Sequence, residues 1–279
     1  MKTILILVVL FSLFGEGVPQ QWRRLTSEEN QELQRFCGSR PMIKSMKRKL
    51  TNSEFISRTK APWTVMIHTP GWVCSGTLIS QRHILTSRVC ILTNLAQTKD
   101  HDDDVFMGKC INDDFVIYFS GHSLQITLTK PIVIKDSKII LFDKCKENDD
   151  RQFDMALIEL ENDLQFTNEI HPACSVSRQV SPIVIGDLLE INSYGSTDYE
   201  SKIRKNIGKL RKGRVVYRGY QSDDRYFLGD NGGSVMSTTL KLHTLIGVLK
   251  SNRRDYNSGV QVSSVAYASK KICQYSGIC

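Results

Sequence analysis

Residues 61–90 read APWTVMIHTPGWVCSGTLISQRHILTSRVC, and the texture of this stretch sets the fold class. Short apolar and β-branched runs, here 63–67 and 76–79, are separated by turn residues. The texture continues at 132–134, 139–142, 183–191 and 245–249, with no long amphipathic helix between the runs. β-Branched side chains suit a pleated, half-buried surface, and strands at this density predict an all-β sandwich or barrel. The closing segment, 263–275, predicts a helix capped by Ser263 or Ser264.

Upstream of this stretch the chain changes character. Lys2 precedes an almost purely apolar run at 4–14, broken only by Ser12, and Gly15 and Gly17 follow. A positive residue, an apolar core too short to span a bilayer and small residues behind it make the order of a secretory signal. The expectation is a signal peptide at 1–17 and a secreted mature chain from about Val18. Residues 18–60 are polar and charged. Thr26 or Ser27 opens a helical stretch that ends at Phe36, with Glu28, Glu29 and Asn30 as capping signals. A basic stretch after Cys37-Gly38 contains Lys47-Arg48-Lys49, so this whole segment reads as a pro-segment or tether that is open to cleavage after Lys49.

Secretion gives the cysteines their meaning. There are eight, at positions 37, 74, 90, 110, 145, 174, 273 and 279, and an even number passing through an oxidising lumen suits four disulfides. Eight cysteines allow 105 pairings, so spacing alone leaves the connectivity open. No C-x-x-C pair is present and only His171 lies close before a cysteine, so neither a metal site nor a cofactor is expected. No later run is long and apolar enough to span a membrane. The formal charge of +8 points to polyanions as partners.

The opening stretch resembles the first barrel of the trypsin and chymotrypsin-like serine proteases. A Pro-Trp opens the first core strand there, C-S-G-T-L-I-S forms a hairpin, and T-A-A-H-C delivers the catalytic histidine. Here Cys74-Ser75-Gly76-Thr77-Leu78-Ile79-Ser80 fits the hairpin at every position. Asp154-Met155-Ala156-Leu157-Ile158-Glu159-Leu160 resembles the strand that carries the triad aspartate, and Ser193-Tyr194-Gly195 resembles a G-W-G turn. Gly229-Asp230-Asn231-Gly232-Gly233-Ser234 resembles the G-D-S-G-G-P loop of the nucleophile. Each motif alone is ordinary strand or turn sequence, but their joint order is specific. The 25–38 stretch and the Ile-Cys/Ile-Cys ending resemble a nematode-expanded, trypsin-like branch of unknown function. The resemblance implies two six-stranded antiparallel β-barrels, at 61–170 and 171–279, with a short C-terminal helix.

The same alignment implies a disarmed site. Val89 stands where the histidine belongs in Thr86-Ser87-Arg88-Val89-Cys90, and Asn231 stands where the serine belongs. Valine has no lone pair to take a proton, and a carboxamide is not a nucleophile at neutral pH. Asp154 is the remaining member, beside an oxyanion loop at Gly229 and Asp230. His83 and the other histidines have no motif around them and read as structural or surface groups. The pocket floor maps onto Arg225, followed by Phe227, and the substrate-pairing edge onto Lys250-Ser251-Asn252. By the same resemblance Cys74 pairs with Cys90 and Cys37 with Cys174, and Cys110–Cys145 with Cys273–Cys279 complete the expected scheme.

The function expected on these grounds is a secreted binding, defence or regulatory factor on a protease scaffold. Its partner is an extracellular protein, a sulfated glycan or another anionic surface, and not nucleic acid. A serine endopeptidase of low activity is the alternative. Lys202, Arg204, Lys205, Lys209, Arg211, Lys212, Arg214 and Arg218 crowd one acid-free stretch, which reads either as a polyanion patch or as the solvated face of a strand.

Overall fold

A computed structural model of the chain describes residues 22–39, 54–69, 72–97, 106–119, 124–128, 131–134, 138–145, 154–175, 183–195, 208–217, 231–237, 242–250 and 261–279. Within these the chain is mostly β. Helix α1 (Ser27–Phe36) comes first, then β1 (Glu54–Phe55), β2 (Thr64–Thr69), β3 (Trp72–Leu78) and β4 (His83–Thr86). Helix α2 (Arg88–Gln97) precedes β5 (Phe106–Ile111), β6 (Asp114–Phe119), β7 (Leu124–Thr127), β8 (Pro131–Ile134), β9 (Lys138–Leu141) and β10 (Ala156–Glu159). The rest is β11 (Cys174–Ser175), β12 (Leu188–Ser193), β13 (Arg211–Val216), β14 (Ser234–Ser237), β15 (Thr244–Leu249), β16 (Val262–Ser264) and helix α3 (Val265–Ser276).

The strands form two sheets. The first has nine strands in the order β5-β6-β9-β10-β4-β3-β2-β7-β8, all antiparallel. The second has seven, β1-β13-β12-β14-β15-β11 with β16 added on β15, and only its β11–β15 pair is parallel. The predicted class therefore holds: two antiparallel sheets and a C-terminal helix. The strand counts exceed six per sheet, in part because the β5–β6 hairpin adds onto β9. That hairpin turns at Asn112, whose φ of 55° is left-handed, a conformation asparagine tolerates better than most residues.

Strand alternation sorts the apolar side chains into two cores. Val65, Ile67, Leu78, Ile84, Ile117, Ile139 and Ile158 fill one, inside the first sheet. Their neighbours Leu85, Ile140 and Leu157 point the other way, into a core shared with Leu189, Val235 and Val248 of the second sheet and with α3. Strands β4, β9 and β10 are buried on both faces, which is why they read as continuous apolar runs.

The N-terminal segment is not a loose tether in its described part. Thr26 and Glu29 close a reciprocal capping box on α1. Leu25 and Leu33 lie in the shared core, and the Leu25 amide donates to Ser276 O at 2.7 Å. Trp22 packs edge-on against Tyr275 with centroids 5.6 Å apart. Arg23 and Arg82 both reach Asp163, at 2.8 and 2.6 Å, and Arg82 also holds Glu29 at 2.6 Å. The segment thus clasps the first sheet to the C-terminal helix. Disulfides join Cys37 to Cys174, Cys74 to Cys90, Cys110 to Cys145 and Cys273 to Cys279. No helix among the described residues is long and apolar enough to cross a membrane.

The sheets meet most tightly at Gly232. Its φ is +78°, and a Cβ there would lie 2.0 Å from Ser75 O and 2.3 Å from Thr86 Oγ1. Gly213, on β13, has open space at its Cβ position. Gly232→Ala should destabilise by roughly 3 kcal/mol or more, from strain and overpacking combined. Gly213→Ala should stay within about 1 kcal/mol of the parent. Urea unfolding of both variants with disulfides intact checks the contrast, and equal stabilities would refute the contact.

Candidate functional site

The residues aligned with a triad converge where the two sheets touch. Ser75 on β3 supplies an amide that donates to Asn231 O at 2.8 Å, and Tyr194 N donates back to Ser75 Oγ at 2.9 Å. Thr86 Oγ1 donates to Ser75 O at 2.7 Å. Gly232 N in turn donates to Leu249 O at 2.9 Å, which seats this loop on β15. Asn231 O lies 3.6 Å from Cys90 Sγ, the residue after Val89. Val89, Asp154 and Asn231 are therefore neighbours, brought from α2, the start of β10 and the start of β14.

Asp154 is 3% exposed and its carboxylate is fully engaged by neutral donors. Oδ2 accepts Ser87 Oγ at 2.5 Å, and Oδ1 accepts the Val89 amide at 3.0 Å. Val89 sits in the first turn of α2, where backbone N–H groups lack helical partners and the helix dipole favours negative charge. Asp154 thus caps α2 from across the fold. Ser263 fastens its backbone from the other side, accepting from Asp154 N at 3.0 Å and donating to Asp154 O at 3.1 Å. Asn231 is 6% exposed, and its Oδ1 is buried with no hydrogen-bond partner.

None of the described histidines bonds to Asp154. His68 Nε2 lies 2.8 Å from Thr127 Oγ1, and His171 Nε2 donates to Phe36 O at 2.9 Å. His243 stacks on Trp63 at 4.7 Å. His83 is fully buried, with Nδ1 2.8 Å from Ser80 Oγ. Burial pushes its pKa down to about 3, helped by the charges of Arg82 and Arg23. It is a neutral core histidine and no base for this site.

Several expected positions, Gly229, Asp230, Arg225, Phe227, Ser251 and Asn252, lie outside the described residues, as do Lys202, Arg204, Lys205 and Arg218. Lys250 is described, and its amide donates to Gln261 O at 2.9 Å. The described basic residues do not share one surface role. Arg211 is buried and donates to Gly195 O at 3.3 Å, while Lys212 pairs with buried Glu190. Lys209 is exposed, with its ammonium 5.4 Å over the Phe55 ring, and Arg214 is half-buried. Nearby, Arg58 donates to the Tyr194 hydroxyl and, at 2.9 Å, to Thr64 O. Desolvation lowers the Arg58 pKa and raises that of Tyr194.

Fold and site together define a trypsin-like protein. Residues 5–279 match the nematode trypsin-6-like family, and the chain belongs to that family. It is 25% identical over 171 residues to phenoloxidase-activating factor 1 of Holotrichia diomphalia, across 54% of this chain and 42% of that one. It is 26% identical over 145 residues to venom serine protease 34 of Apis mellifera, across 50% of this chain and 32% of that one. The chain thus spans less than half the length of these relatives. Among solved structures it is similar to neuropsin, a serine protease expressed in the limbic system of mouse brain. The TM-score is 0.54 at 14% identity, covering 80% of this chain and 98% of that one.

His83 makes stability depend on pH. The unfolded chain binds a proton near the ordinary value of 6.5 while the folded chain resists until about 3. The unfolded state therefore holds more protons in between, and stability falls as pH falls through that window. Between about pH 6.5 and 4.5 this one group should cost on the order of 2–3 kcal/mol. His83→Gln should remove that part of the slope in urea unfolding at the two pH values. An unchanged slope would show that His83 takes up its proton in the folded state.

Proposed function

We propose that this protein is a secreted, non-catalytic member of its family that works by binding. The observation that carries this is the carboxylate of Asp154. It is occupied by Ser87 and the α2 amide, with an aliphatic side chain at 89 and a carboxamide at 231. General-base activation of a hydroxyl needs an imidazole held by that carboxylate, and then a hydroxyl to activate. Neither is at hand. Loss of the base or the nucleophile from such a triad costs about 10⁶ in turnover, and the losses are not additive. The four disulfides, with the apolar run at 4–14, support an extracellular life that begins near Val18.

Polyanions belong to the same proposal as candidate ligands, supported by the charge of +8 and by exposed Lys209. Arg211 has no part in such a surface, because it is spent in the interior. Contact with sulfated glycans would weaken as salt shortens the reach of charge to about 8 Å at physiological ionic strength.

Two measurements test the proposal. An active-site-directed phosphonate should leave the secreted protein unlabelled under conditions that label trypsin fully, and labelling of a residue in this chain would refute the non-catalytic assignment. For the ligand, Lys209→Glu should elute earlier than the parent from a heparin column, and Arg211 replaced by Gln should lose stability instead. Identical elution of Lys209→Glu and parent would remove the polyanion.

A further inference from the structure

Ser87 has no role in the triad pattern. The family motif has alanine at that place in T-A-A-H-C, and an alanine side chain has no donor to offer a carboxylate. In this chain the position carries a hydroxyl, fully buried, 2.5 Å from Asp154 Oδ2. The other oxygen is held by Val89 N at 3.0 Å, and the Asp154 backbone is fixed on both its N–H and C=O by Ser263. Both carboxylate oxygens and both backbone groups of Asp154 thus have a partner, and the residue is 3% exposed. Its negative charge is compensated by a hydroxyl dipole and a helix N-terminus, with no cation bonded to it among the described residues.

We propose that Ser87 is a positioning residue that locks Asp154 into a structural cap and withholds its carboxylate from any base placed at position 89. The inference rests on the proposed loss of the catalytic base at that position. Its physical content is a competition for one oxygen. A ring N–H from residue 89 would have to displace the Ser87 hydroxyl or share the oxygen with it, in a space where the hydroxyl has no other described partner. Removing the hydroxyl frees the oxygen without touching the α2 amide or Ser263. The chain therefore departs from the T-A-A-H-C and G-D-S-G-G-P patterns at Ser87, Val89 and Asn231, and restoring only the last two leaves the first in place.

The test reads the titration of a histidine introduced at 89 in the full-length protein. Val89→His and the double variant Val89→His with Ser87→Ala are compared by NMR of the labelled ring. With Ser87 present the ring should titrate at or below about 6.5, the value of a histidine without a charged partner. Without it the value should rise by about one unit or more, because a carboxylate within hydrogen-bond reach favours the imidazolium. Val89→His combined with Ser87→Thr, which keeps a hydroxyl, should return the low value. A ring that is already raised beside Ser87, or one that stays low after Ser87→Ala, overturns the proposal. Should the histidine variants not fold, Ser87→Ala alone is read through the Asp154 carboxyl resonance. Loss of the hydroxyl donor to Oδ2 should shift that resonance, and an unmoved resonance overturns the proposal equally. Phosphonate labelling of the parent is a separate matter. A labelled parent would refute the non-catalytic assignment and leave the titration at 89 to decide the role of Ser87.

Discussion

The structure depends on the way two sheets are pressed together where Ser75 meets Asn231 and Gly232. Ser75 offers its amide to Asn231 O and its carbonyl to Thr86, while Gly232 fits against that carbonyl with no room for a side chain. A buried backbone group left unpaired costs about as much as a lost hydrogen bond. At this junction the Ser75 N–H and C=O and the Gly232 N–H are all met, by Asn231, Thr86 and Leu249. Tyr194 extends the contact through Ser75 Oγ, and Arg58 bonds to the Tyr194 hydroxyl while its second nitrogen holds Thr64 O. The apolar core on either side then has fixed walls to pack against.

A second constraint acts from outside. The N-terminal segment binds where the chain would otherwise leave charges and core exposed, and it does so through three kinds of force. Leu25 and Leu33 contribute burial, the Cys37–Cys174 disulfide restricts the unfolded chain, and Arg23, Arg82, Glu29 and Asp163 form an ion network. Exposed ion pairs contribute little one at a time, so the network sets the position of the segment more than its stability. Glu159 shows the same economy: it accepts the Arg23 amide at 2.8 Å and lies 3.5 Å from Lys138, which sits over the Trp22 ring. Because Cys37 is bonded to β11, cutting the chain between residues 40 and 53 would leave this clasp attached.

Around Asp154 polar groups hold the fold: its carboxylate accepts the Ser87 hydroxyl and the Val89 amide. A carboxylate that accepts a hydroxyl and a helix amide is a good cap and a poor partner for a base. Asn231 meets Ser75 through its backbone carbonyl, while its side-chain oxygen has no hydrogen-bond partner among the described residues.

Much of this was legible in the sequence. The runs at 63–67, 76–79 and 139–142 lie within or overlap β2, β3 and β9, and the caps at Thr26 and Ser264 are where the helices start. The ordered motifs carried the fold. Some elements were not legible. The run at 183–191 looks uniform, yet its first half is a turn held by Asp187 and by Gly186 at φ +99°, and β12 begins only at Leu188. Helix α2 is hidden in Val89-Cys90-Ile91-Leu92, whose β-branched and apolar residues suit a strand equally well. Asn112 marked the β5–β6 turn, a weak signal without glycine beside it. Sequence alone thus determined the class and the helix caps, because these follow from local residue type and order. Tertiary structure alone decided what Asp154 does, since Ser87 and Ser263 reach it from 67 and 109 residues away. It also decided that Arg211 serves the interior. Local patterning fixes which face a side chain is on, but the atom it meets is set by strands that come together only when the whole chain has folded.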